Sequence, residues 1–124
     1  MKSYTNIEES KKLAEILSPE SADMCWGICD ETLKWETFPY LMPWRNYTAK
    51  EYYLPCWSLA ALLNILPHCI DEGYDLVFGK LSDNKGWYVM YDDVDHFTKF
   101  YVTNSNLIDA CVEMVLKLKE RNLI

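Results

Sequence analysis

The chain has 124 residues, 50% hydrophobic and 25% charged, with 4 Gly and 5 Pro. That length suits one domain around one core, and the apolar share excludes a disordered or low-complexity chain. Against 19 acidic side chains stand 12 basic ones, a formal net charge of −7 spread over both halves. With no basic stripe, the electrostatic footprint of a nucleic-acid or anionic-membrane binder is missing.

Thr5, followed three residues later by Glu8, reads as a capping box, and Leu13, Ile16 and Leu17 share a face beyond it. This pattern predicts a helix over residues 5–17. Ser18-Pro19 then stops that helix and starts a second, because proline suits a first helical position. Ala22, Cys25, Trp26 and Cys29 follow at helical spacing, weakened beyond Trp26 by Gly27.

From Trp35 to Trp57 the sequence carries eight aromatic residues, with Pro39, Pro43 and Pro55 among them. The prolines exclude a long helix, which leaves a short strand over 35–38 and an irregular segment after it. Trp35, Tyr40, Trp44, Tyr47 and Tyr52 are a candidate surface for a ligand or partner. The commoner use of such rings is to bury the backbone of a long connection, since aromatics carry much core area.

Ser58 caps the clearest helix, which Pro67 closes, and Leu59, Leu62, Leu63 and Leu66 form its apolar stripe. Trp57 before the cap and Leu62 at the fourth helical position suit a hydrophobic staple. Residues 75–81 and 86–91 then read as strands joined by Ser82-Asp83-Asn84-Lys85, which is turn chemistry. A third strand over 98–102 follows the acidic corner Asp92-Asp93-Val94-Asp95, and three such runs pair most simply as an antiparallel meander. Asn106 caps a last helix with Asp109 at its third position; Ile108, Cys111, Val112, Val115 and Leu118 make its apolar face. Lys117, Lys119 and Arg121 near its end complement the helix dipole.

Helices, sheet and helix in that order predict an α+β fold. The expected architecture is a small antiparallel sheet of about three strands with three or four helices, as one compact domain over 1–124 without linker or tail. Leu59, Leu62, Leu63, Leu66, Val77, Trp87, Val89, Ile108, Val115 and Leu118 are expected to share one core.

Three pieces, residues 20–26 (ESADMCW), 53–67 (YLPCWSLAALLNILP) and 106–118 (NLIDACVEMVLKL), resemble a family of short uncharacterised proteins of gut bacteria and their prophages. The middle piece is the most specific, and the likeness runs over nearly the whole chain. The resemblance implies a whole-chain domain in a prophage or mobile-element context and transfers no site. Gly27, Gly73, Gly79 and Gly86 stand apart from one another, so no glycine-rich phosphate loop is present.

Cys56, just before a helix, is the candidate nucleophile of a thiol-dependent hydrolase, with His96 or His68 as its base. If Ser58 is the cap, however, Cys56 lies outside the helix and its sulfur need not face the free amides. Cys25 and Cys29 with Cys56, His68 and Cys69 are a thin zinc set, because structural zinc favours paired knuckles. Asp92, Asp93, Asp95 and His96 hold the residue types of a hard-cation site, but lack the turn glycine and closing glutamate of a calcium loop. No cofactor is expected. The cysteines number 5, irregularly spaced, and the first fifteen residues are polar, which predicts free thiols, no secretory leader and a cytoplasmic setting. What remains is an interaction module that binds an unknown protein partner or itself, with neither nucleic acid nor membrane. Its candidate surfaces are the edge of the small sheet and the aromatic segment 35–57.

Overall fold

The computed structural model describes residues 2–27, 34, 39–41 and 53–124. Helix α1 (Ile7–Ala14) starts one residue later than the Thr5 box predicts. Asn6 caps it: its side chain accepts from the Glu9 amide at 2.8 Å, while the Glu9 carboxylate accepts from the Asn6 amide at 3.0 Å. Two overlapping boxes exist in the sequence, and tertiary bonding decides between them. Thr5 is fully buried; its amide donates to Trp57 O at 2.9 Å and its hydroxyl accepts from the Trp57 amide at 3.0 Å.

The predicted second helix is not formed. Pro19–Ser21 make a single 3-10 turn, and β1 (Met24–Gly27) follows as a strand. It lies between β2 (Tyr40–Leu41) and β3 (Tyr53–Cys56) in a three-stranded antiparallel sheet of order β2-β1-β3. Cys25, Trp26 and Gly27 are buried in succession. A short apolar run hidden on both faces cannot be told from a buried helix by spacing, which explains the misreading. Cys29 and the strand predicted over 35–38 lie outside the described residues. Strand β3 replaces the end of the predicted irregular segment; at a sheet edge it tolerates Pro55, which needs no inward amide.

Helix α2 (Leu59–Ile65) forms as predicted, with the Ser58 hydroxyl accepting from the Ala61 amide at 3.2 Å. Asp23 reaches across from the turn before β1 to accept from the Ser58 amide at 3.0 Å, locking the first sheet to this cap. A second antiparallel sheet has the order β4-β5-β6-β7, with β4 (Cys69–Ile70), β5 (Tyr74–Lys80), β6 (Trp87–Asp92) and β7 (Thr98–Asn104). The three long strands match the predicted meander; β4, only two residues long, carries no pattern of its own. Asn84 takes a left-handed φ of 60° in the predicted turn, and its amide donates to Leu81 O at 2.9 Å. Gly86 is required where β6 begins, because a Cβ there would stand 2.7 Å from Asn104 O.

Helix α3 (Leu107–Glu120) is capped by Asn106, whose side chain accepts from the Asp109 amide at 3.2 Å. Its apolar face packs on the inner face of β6 and β7 and against α2. Among the described residues the fold is therefore α+β with three helices and two antiparallel sheets, where about three strands in one sheet were expected. Leu62, Leu66, Val89, Ile108, Val115 and Leu118 lie in the main core, and Leu59, Leu63 and Trp87 pack against it half-buried. Val77 does not join; it pairs with Met90 on the opposite face of the sheet. A smaller cluster of Trp26, Leu54 and Cys56 stands beside α1, and Ala14 packs against both clusters. The single expected core is thus a main core with a satellite.

Candidate functional site

β7 is the end strand of its sheet, and among the described residues no strand pairs with its outer side. Its seven residues span roughly 23 Å at about 3.3 Å each. The peptide groups facing outward follow from the ladder. Leu81 N–H donates to Gly86 O at 2.9 Å, so bonded pairs alternate from there: Gly79 with Tyr88, then Val77 with Met90. Trp87, Val89 and Tyr91 therefore turn their peptide groups to β7, opposite Asn104, Val102 and Phe100. Tyr101 and Thr103 are left with amide and carbonyl pointing away from the sheet.

Helix α3 leaves β7 after Ser105-Asn106 and runs back along it, so its last turn comes beside the strand's first residues. Between them lies an open groove of about 340 Å³, lined by Lys99, Phe100, Tyr101, Lys117, Glu120 and Arg121. Arg121 lies over the Phe100 ring with its guanidinium carbon 5.9 Å from the centroid. Lys99 pairs with Asp71 and stands 5.3 Å over the Tyr74 ring. Among the described residues no carboxylate pairs with Lys117 or Arg121. On the outer face Tyr101 stacks on Tyr88 with centroids 6.4 Å apart and remains 52% exposed. Just before the strand, Val94 is 87% and Phe97 69% exposed.

The other predicted sites are used differently. Cys56 is fully buried; its thiol donates to Thr5 O at 3.4 Å, and neither histidine is among its hydrogen-bond partners. Burial pushes that thiol up to about 11, the Thr5 and Ser10 hydroxyls opposing only in part, so a thiolate is disfavoured where the hydrolase reading needs one. His68 is exposed, and the His96 side chain is 88% exposed, with Nδ1 3.4 Å from Asp92. Asp92 also accepts from the Thr98 hydroxyl at 3.1 Å. The Asp93 carboxylate accepts from the amides of Asp95 at 2.9 Å and Phe97 at 2.8 Å, so it shapes the turn. Among the described residues no three His, Cys, Asp or Glu side chains converge as a metal site.

Of the aromatic set, Tyr40 is exposed on β2; Trp35, Trp44, Tyr47 and Tyr52 lie outside the described residues. Lys117 and Arg121 were legible as cations one helical turn apart, but only the return of α3 along β7 sets them beside the outer side of that strand. Comparison with family models, curated proteins and solved structures finds no match to this chain. Among the described residues no helix is long and apolar enough to cross a membrane.

Proposed function

We propose that this protein acts through protein–protein contact, with β7 as a docking edge that accepts an extended strand. One observation carries the reading: a seven-residue edge whose Tyr101 and Thr103 peptide groups face outward, beside an open groove under the end of α3. Exposed sheet edges recruit strands, and proteins ordinarily blunt them with proline, a bulge or a short length. Here β7 carries a bulge only at its start, where Lys99 is the extra residue between the pairs Asp92 with Thr98 and Tyr91 with Phe100, and Thr98–Asn104 contains no proline. With no basic stripe along the sequence, nucleic acid is disfavoured as the partner. The family resemblance of residues 53–67 adds a prophage or mobile-element setting to the proposal, within the cytoplasm.

Thr103→Pro tests the reading, because it removes an outward amide and no bond to β6. Sedimentation at micromolar concentration, alone and with the partner co-purified from the native host, is compared for wild type and variant. Loss of association in a variant that keeps its circular dichroism is the expected result. An unchanged complex would contradict the edge as the docking site.

A further inference from the structure

We propose that the occupant of the β7 edge is an acidic extended segment of a partner protein, a selectivity that rests on the strand-docking reading. A strand added to β7 would place alternate side chains on its two faces. One set falls beside Tyr101 and the exposed outer face. The other falls beside Phe100 and the end of α3, where Lys117 and Arg121 stand with Glu120 as the local anion. Lys99 is already met by Asp71, so Lys117 and Arg121 are the cations left to read a partner. They lie one helical turn apart, and carboxylates two residues apart on a strand fall along the same groove. Arg121 is held over Phe100, which keeps its guanidinium at the groove.

The probes are two peptides of roughly nine residues, a usual strand length, one alternating Glu with Val and the other alternating Lys with Val. Binding to the full chain is followed by titration at low and high salt, with amide exchange at Tyr101 and Thr103. The Glu peptide is expected to bind, to slow both amides, and to weaken as salt rises. Lys117→Gln combined with Arg121→Gln, both exposed at a helix end, should weaken it about two- to thirtyfold, as loss of two exposed charge contacts implies. Thr103→Pro should abolish binding of either peptide. Equal or tighter binding of the Lys peptide overturns the acidic selectivity and leaves the docking edge standing. So does concentration-dependent self-association that slows the same amides while neither peptide binds. Slow exchange of Tyr101 and Thr103 in the isolated monomer would overturn both readings.

Discussion

Thr5→Val is nearly isosteric and tests how the N-terminal segment is clasped to the rest of the chain. The Thr5 hydroxyl accepts from the Trp57 amide at 3.0 Å, lies 2.7 Å from Ser10 Oγ and 3.6 Å from the Cys56 sulfur, all fully buried. Valine leaves the Trp57 N–H with no acceptor in a fully buried site, which costs about 1–3 kcal/mol. The Ser10 hydroxyl can turn to a carbonyl of its own helix, so its loss is smaller, about 0.5–1 kcal/mol. The sum of about 1.5–4 kcal/mol is a large part of the ~5–15 kcal/mol that stabilises a domain of this size. Urea unfolding with a shared slope measures it, and Thr5→Ser, which keeps the hydroxyl, should lose only about 1 kcal/mol for its methyl group. A Thr5→Val protein within about 0.5 kcal/mol of wild type would refute the clasp. A larger loss for Thr5→Ser than for Thr5→Val would assign the effect to packing instead.

Three further outcomes follow from particular groups. Burial pushes the Cys56 and Cys111 thiols to about 11 and about 12, so both should resist alkylation at pH 8 in the folded chain while half-buried Cys69 reacts; mass mapping of a timed reaction reads this. Lys2 meets both Glu9 and Asp109, and the two carboxyls split. Hydrogen bonding to Glu9, against some burial and with help from Lys2, holds Asp109 below its ordinary 3.8, while burial and the contact with Asp109 raise Glu9. A depressed carboxyl stabilises above its unfolded value and loses that contribution as pH falls through the folded one. Asp109→Asn should therefore lower stability at pH 7, and its deficit should shrink below pH 3.8 in acid titrations followed by circular dichroism. Gly86→Ala should destabilise by about 1–3 kcal/mol, because its new methyl group meets backbone rather than a movable side chain; thermal melting checks the sign.

Local signals made part of the fold legible. Ser58 and Asn106 cap their helices, and the Ser82–Lys85 turn joins its strands, because each acts within four residues of its own backbone. What failed depends on distant chain. Thr5 offered a cap as good as Asn6 until Trp57 claimed its hydroxyl. The apolar run Cys25 to Gly27 became a central strand because β2 and β3 flank it, and nothing local shows that. Strand β4 exists through its pairing with β5, at Cys69 with Asp75 and Ile70 with Tyr74. An unpaired edge was expected from the small sheet, but not which strand would carry it. Lys117 and Arg121 were read as partners of the helix dipole; their place in a groove is a product of how α3 folds back.

Docking at β7 requires the outer side of that strand to be open, and amide exchange in the isolated monomer tests that most directly. Val102 lies between Tyr101 and Thr103 in sequence, but its peptide group faces β6. The prediction is an alternation along the strand: Val102 exchanges only with large-scale opening, while Tyr101 and Thr103 exchange within about tenfold of a free peptide. Uniformly slow exchange from Tyr101 to Thr103 would show the edge already covered by the chain itself, and would contradict the docking edge.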